Sequence, residues 1–127
     1  MIVGLGIDIC PVARIGDILA RHGDVFAARI FTPGERAHAG DGPVRDERLA
    51  ARWAAKEAAI KALGAPDGLR WHEMEVVNAA DGAPALELSG RAAERARELQ
   101  MHRARISLTH AAGVAAAVVI LEGRGEP

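Results

Sequence analysis

The segment RWAAKEAAIKALG, residues 52–64, constrains the fold of this chain most. It reads as one helix with a carboxylate among apolar residues. At about 100° per residue, Trp53 and Ile60 fall on one side of the helix, and Glu57 lies roughly 40° from Trp53. A carboxylate on a packing face needs a partner, because burying an unpaired charge is costly.

Two kinds of partner for Glu57 remain open. Lys56 and Lys61 flank the apolar stripe, and Lys61 follows Glu57 by four residues, the order that favours an ion pair on a helix surface. Alternatively, a bound metal ion or a cation from elsewhere in the fold satisfies the carboxylate.

The chain opens with MIVGLGIDIC, an apolar run of strand length that contains a second misplaced acid. Gly4 and Gly6 weaken a strand and often mark the close approach of another backbone or of a ligand. Asp8 has two interpretations. It is an ordinary turn residue at the strand end, since Pro11 follows soon after, or it is a functional carboxylate.

Asp8 and Glu57 together suggest a metal site if the fold brings them into contact. Two carboxylates without a suitable cluster of His and Cys favour Mg²⁺ over zinc. Magnesium held by one or two carboxylates usually completes its coordination with water and substrate phosphate oxygens.

The length predicts a single domain over residues 1–127, and its mixture of predicted strands and helices makes the class α+β. The formal net charge of −1 argues against a general nucleic-acid binder. The single cysteine, Cys10, reads as a small buried hydrophobe and suits a reducing cytoplasm. We expect neither a signal peptide nor a membrane partner, since Asp8 interrupts the first apolar run and the run at 114–121 is too short to span a bilayer.

Periodicity and turn residues divide the chain into alternating elements. Predicted strands cover 2–10, 73–78, 85–88, 103–109 and 114–121, and the last of these reads as a central or interface strand. Predicted helices begin at Pro11, near Val25, after Thr32, at about Asp46 and after Ser89. Thr32 and Ser89 are the expected N-caps of their helices, and Thr32 has the capping-box pattern with Glu35.

Three segments together resemble the holo-acyl-carrier-protein synthases, the small trimeric branch of the 4′-phosphopantetheinyl transferases. They are GLGIDI at 4–9, RIFT followed by Glu35 at 29–35, and RWAAKEA followed by KALG at 52–64. The ending Ser107-Leu108-Thr109-His110, before a strand rich in Ala and Val, also fits. The resemblance covers nearly the whole chain in order.

The resemblance implies a fold and a reaction. The expected fold is an antiparallel sheet packed on a long helix, in a homotrimer with active sites between adjacent subunits. The expected reaction moves 4′-phosphopantetheine from coenzyme A to a serine of apo acyl carrier protein, releasing 3′,5′-ADP. Mg²⁺ as cofactor, a cytoplasmic location and a role in fatty acid biosynthesis are implied in the same way.

The resemblance also implies roles for residues of the first strand and the long helix. Asp8 and Glu57 match the magnesium ligands. Lys61 matches the lysine near the transferred phosphate. Arg52 and Lys56 match positions that contact the phosphates of coenzyme A.

Two further groups of polar residues take roles from the resemblance. Ser107, Thr109 and His110 match the motif that lines the coenzyme A pocket, although hydroxyls at this spacing are also ordinary near a hairpin. Arg14 and Arg21 match positions that dock the acidic carrier, although a solvated helix face has the same pattern. The chain departs from many members at Ala111, and from some at Val25.

Two other functions remain open from the sequence. A broader phosphopantetheinyl transferase would modify polyketide or peptide carrier domains. A non-catalytic module would bind a nucleotide or an acidic partner through the arginines of its first helix.

Overall fold

A computed structural model describes residues 1–124 as an α+β arrangement, as predicted. The elements, in chain order, are β1 (Ile2–Pro11), α1 (Val12–Ile30), α2 (Pro33–Ala39), α3 (Arg45–Ala62), β2 (Met74–Asn78), β3 (Pro84–Leu88), α4 (Gly90–Glu98), β4 (Met101–Ala111) and β5 (Val114–Gly123). Within this part of the chain, no helix combines the length and the apolar character needed to cross a membrane.

The strands form two antiparallel sheets rather than the single sheet that was expected. The larger sheet has the order β1-β5-β4, and the smaller one pairs β2 with β3. The apolar strand predicted at 114–121 is β5, and it is central as expected. Its neighbours leave no free edge on this strand, which accounts for its lack of charged residues until Glu122.

The larger sheet has one covered and one exposed face. Residues alternate along β5, and Ala115, Ala117, Val119 and Leu121 are buried on the covered face, which packs against α3. On the opposite face, β1 exposes a row of large apolar side chains: Leu5 at 61%, Ile7 at 64% and Ile9 at 62%. We call this row, with its neighbours Val118 and Ile120 on β5, the outer apolar face.

The glycines of β1 allow the strand to touch the backbone of α3. A Cβ atom on Gly4 would lie 2.2 Å from the carbonyl oxygen of Ala62, and one on Gly6 would lie 1.9 Å from that of Ala58. Only glycine fits such contacts, so the predicted close approach is to a backbone. It brings the end of β1 directly beside the second half of α3.

The helix ends follow the sequence signals with one exception. Gly23 has φ 54° and breaks α1 into two segments, in agreement with the separate helices predicted at Pro11 and near Val25. Thr32 and Glu35 form the expected capping box of α2. The expected cap by the Ser89 side chain is wrong, because the carboxylate of Glu73 accepts the hydrogen bond from Arg91 N in the first turn of α4.

Candidate functional site

Three charged side chains meet where β1 packs on α3. Lys61 Nζ lies 3.1 Å from Asp8 Oδ1 and also donates to the carbonyl oxygen of Ile7 at 3.0 Å. Burial raises the pKa of Glu57, the negative charge of Asp8 raises it further, and the positive charge of Lys61 opposes both effects. The structure therefore brings together the two carboxylates and the lysine that the sequence singled out.

This cluster has the donor chemistry of a magnesium site. The repulsion between Asp8 and Glu57 that raises the pKa of Glu57 is the kind that a divalent cation relieves. Over residues 1–124, no group of three or more His, Cys, Asp and Glu side chains is arranged to hold a metal ion. A site with two carboxylates leaves the remaining positions to water and phosphate oxygens, which is how Mg²⁺ is commonly bound.

The fully buried charge of α3 is Lys56 rather than Glu57. Glu57 is only half-buried, whereas the side chain of Lys56 has no exposed surface. The Lys56 ammonium lies 2.8 Å from Glu35 Oε1 and donates to the carbonyl oxygens of Trp71 and Met74 at 3.0 and 2.9 Å. These acceptors use all three of its N–H groups, so in this arrangement Lys56 has no donor for the phosphate contact expected of it.

Glu35 was predicted from sequence only as a capping residue, yet it is the counter-charge of Lys56. Its carboxylate also accepts hydrogen bonds from Thr32 N at 2.9 Å and Val76 N at 2.8 Å. The sequence signal that could have identified this pair is the Thr32-x-x-Glu35 motif itself, because a capping carboxylate can accept several hydrogen bonds. Here Oε1 serves both Thr32 N and Lys56, and Oε2 accepts from Val76 N.

A cleft of about 480 Å³ lies beside the first half of α3, between this helix, the end of β4 and the hairpin of β2 and β3. Arg52, Thr109 and His110 line it, so the structure gathers three of the residues expected to contact coenzyme A. The lining residues missed from sequence include two that make polar contacts in the cleft, Glu47 and Asn78. Glu47 Oε1 lies 2.5 Å from His110 Nδ1, and Asn78 Oδ1 accepts from Arg52 Nη2 at 3.0 Å.

Arg52 is suited to bind an anion in this cleft. Only 3% of the residue is exposed, and no carboxylate of the described residues lies within ion-pair distance of its guanidinium. Its Nε is buried without a hydrogen-bond partner among residues 1–124. Burial lowers the pKa of Arg52, the charge of Glu35 opposes this, and Arg48 adds to it. A phosphate group would supply the missing acceptor and counter-charge.

Ser107 does not join the carboxylate cluster of its own chain. Asp8 and Leu108 both pair with Ala117, so they share the covered face of the sheet. Ser107 and Thr109 alternate with Leu108 and therefore lie on the opposite face, beside the outer apolar face. Their hydroxyls point to one face, as predicted, but away from Asp8.

Arg14 and Arg21 are exposed on one side of α1, as their spacing predicts. Neither forms an ion pair with another of the described residues. Arg14 is close enough to β1 for its charge to lower the pKa of Cys10, although burial outweighs this effect and the pKa of the thiol is raised. Cys10 is thus buried as expected, and Arg14 lies near the Asp8 end of β1.

Comparisons with known proteins identify relatives of this chain. Residues 4–119 match the model of the 4′-phosphopantetheinyl transferase superfamily. A holo-(acyl-carrier-protein) synthase of Anaeromyxobacter sp. (strain K) is 53% identical, with 98% of this chain and 99% of that protein covered.

Solved structures of such synthases have the same fold. The crystal structure of holo-(acyl-carrier-protein) synthase from Neisseria meningitidis has a TM-score of 0.84 at 30% identity and covers 96% of this chain and 99% of its own. The Helicobacter pylori synthase in complex with coenzyme A has a TM-score of 0.82 at 30% identity and covers 93% and 99%.

Proposed function

This chain belongs to the 4′-phosphopantetheinyl transferase superfamily, as an enzyme of the holo-acyl-carrier-protein synthase type, and from this premise we propose its reaction. It transfers the 4′-phosphopantetheine group of coenzyme A to a serine hydroxyl of apo acyl carrier protein. The serine oxygen forms a bond to the phosphorus that carries pantetheine, the bond from that phosphorus to the bridging oxygen breaks, and 3′,5′-ADP leaves. The serine proton is released in the same reaction.

The cluster of Asp8, Glu57 and Lys61 is the proposed reaction centre, and it is the observation that carries this function. Phosphoryl transfer is accelerated mainly by positioning and by stabilisation of charge on the phosphate oxygens. Mg²⁺ held by Asp8 and Glu57 would supply that stabilisation when bound. Lys61 directs its ammonium into the same cluster and can neutralise charge that develops on the leaving oxygen.

The cleft beside Arg52 is the proposed position of the nucleotide half of coenzyme A. Arg52 offers a buried guanidinium with a free donor, and His110 contributes a polar side chain at the rim. The contact between His110 and Glu47 joins the end of β4 to the first turn of α3. We therefore expect the cleft wall to be largely formed before the ligand binds.

A homotrimer is the proposed assembly, and the outer apolar face supports it. Leu5, Ile7 and Ile9 are each more than half exposed and form one contiguous row on β1. Exposed apolar patches of this kind usually mark interaction sites. Ser107 and Thr109 lie next to this face, so in a trimer they would approach a neighbouring subunit rather than Asp8 of their own chain.

The carrier protein is proposed to dock on α1. Arg14 and Arg21 present unpaired positive charge, and Arg14 lies on the side near Asp8, where the serine must arrive. An acidic carrier would be attracted to such a surface. A cytoplasmic location and a place in fatty acid biosynthesis belong to the same proposal.

The products test this function. Apo acyl carrier protein, coenzyme A and Mg²⁺ are incubated with the chain, and 3′,5′-ADP is quantified by chromatography. The proposal predicts one 3′,5′-ADP for each carrier consumed and none with a carrier whose acceptor serine is replaced by alanine. Nucleotide release that does not depend on the serine would show hydrolysis of coenzyme A instead.

A further inference from the structure

Lys56 is a charged residue that the proposed reaction does not use, although it stands next to Glu57 in the chain. Its ammonium is enclosed by Glu35, the carbonyl oxygen of Trp71 and that of Met74. Its burial is complete, with no exposed side-chain surface. Removing an ion from water is costly, so an arrangement that keeps this charge needs a reason other than packing.

The pair of Lys56 with Glu35 connects α3 to two other elements. Glu35 belongs to α2 and also accepts the backbone N–H of Val76 in β2. Met74, whose carbonyl oxygen binds Lys56, is the first residue of β2. One carboxylate and one ammonium therefore fix the position of α3 relative to both α2 and β2.

This anchor and the glycine contacts hold different sides of the same helix. The carbonyl oxygens of Ala58 and Ala62 pack against β1, whereas Lys56 points about 160° and about 120° away from these two residues around the helix. Glu57 lies between the two anchored sides. A helix held at two sides cannot rotate, and its rotation decides whether Glu57 faces Asp8.

We infer that Lys56 and Glu35 are positioning residues that fix the rotation of α3, so that Glu57 meets Asp8 at the metal site. Lys56 then acts on the reaction through Glu57 and does not contact coenzyme A. This inference rests on the proposed function, since it assigns the reaction centre to Asp8 and Glu57. Partners that orient a metal ligand commonly change metal affinity by about tenfold to about 100-fold when they are removed.

The test compares metal binding and nucleotide binding in folded variants. Binding of Mn²⁺, a paramagnetic substitute for Mg²⁺, is followed by electron paramagnetic resonance, and 3′,5′-ADP binding by calorimetry without metal. Lys56→Met and Glu35→Gln each remove one charge. Glu35→Asp retains the counter-charge but shortens its reach, so it keeps the buried ammonium paired if the charge-removing variants do not fold.

We expect each variant to weaken Mn²⁺ binding, the charge-removing ones by about tenfold or more. The double variant Glu35→Gln with Lys56→Met should bind Mn²⁺ no more weakly than the more severe single variant, because the two substitutions remove the same interaction. Glu87→Gln makes the same chemical change at an exposed position of β3, and Leu99→Ala loosens the end of α4. Both controls should bind Mn²⁺ like the parent chain.

Two results would overturn the inference. One is unchanged Mn²⁺ affinity in folded Glu35→Asp. The other is a loss of 3′,5′-ADP affinity in Lys56→Met that neither Glu35 variant shares, which would make Lys56 a direct ligand of the nucleotide. A failure of the proposed function is separate, since it would appear as a parent chain that binds Mn²⁺ but modifies no carrier.

Discussion

Glu57 is a residue whose charge the fold tolerates at a cost. Burial and the charge of Asp8 both raise its pKa, so the folded chain holds the Glu57 proton more tightly than the unfolded chain does. Stability from this group is fully present below the ordinary pKa of glutamate and is lost as the pH rises through the raised value. A cation bound between the carboxylates would offset that loss.

Glu57→Gln should therefore stabilise the metal-free protein near neutral pH. Thermal melts of the variant and the parent chain, recorded in EDTA, should differ at about pH 7 and converge at about pH 4, where the glutamate is protonated. The same substitution removes a proposed metal ligand, so added Mg²⁺ should stabilise the parent chain more than the variant. A variant less stable than the parent at neutral pH in EDTA would contradict this account of Glu57.

Lys61→Met should shift the pH dependence of metal binding. The charge of Lys61 opposes the rise in the pKa of Glu57, so removing it raises that pKa further. Because a cation binds the ionised carboxylate, the midpoint of Mn²⁺ binding should move to higher pH. Arg97→Met, an exposed charge removal on α4, serves as the control. An unchanged midpoint in Lys61→Met would mean that Lys61 is not coupled to Glu57.

At this scale the sequence predicted the identity of the cluster but not the direction of every side chain. Asp8 and Glu57 stand out because each is an acid in an otherwise apolar pattern, whereas Lys61 was singled out by its spacing from Glu57 and by the family resemblance. The sequence predicted Glu57 on a packing face and Lys56 at its edge, whereas in the structure Lys56 is fully buried and Glu57 only half-buried. A helical wheel shows which residues share a side of the helix but not which neighbouring element covers that side. The side of α3 that carries Lys56 is covered by Glu35 of α2, whose carboxylate is also bound by the backbone of β2.

At the scale of the elements, the contact between β1 and α3 positions the site. Gly4 and Gly6 place the strand against carbonyl oxygens of α3, and Asp8 follows two residues later on the same face. The predicted strands and helices agree with the structure within a few residues. The division of the strands into two sheets was not predicted, since pairing partners depend on contacts between distant segments.

Gly6→Ala tests this contact. The added methyl group would lie 1.9 Å from the Ala58 oxygen, so the strand must move away from the helix. We expect a loss of about 3 kcal/mol or more in the free energy of unfolding, measured with urea at fixed protein concentration. Gly42→Ala, at a position with no atom within 4 Å, should change it by less than about 0.5 kcal/mol. Equal effects of the two substitutions would refute the close packing.

At the scale of the whole molecule, the proposed trimer explains the outer apolar face. Ile7→Glu places a charge in the middle of this face, where Ile7 is 64% exposed in the single chain. Light scattering should show the parent chain as a trimer and this variant as a monomer, with transfer lost because each site needs a neighbour. Val25→Glu, on a valine that is 71% exposed on α1, should remain trimeric. A trimeric Ile7→Glu would place the interface elsewhere.

The proposed reaction is metal-dependent transfer of phosphopantetheine from coenzyme A to a carrier protein at Asp8 and Glu57. Intact-mass spectrometry of apo acyl carrier protein tests it most directly, after incubation with coenzyme A and the parent chain or Glu57→Gln, with Mg²⁺ or with EDTA. We expect a mass gain of one phosphopantetheine group only for the parent chain with Mg²⁺. An equal gain in EDTA or with the variant, or no gain from the folded parent chain with Mg²⁺, would contradict it.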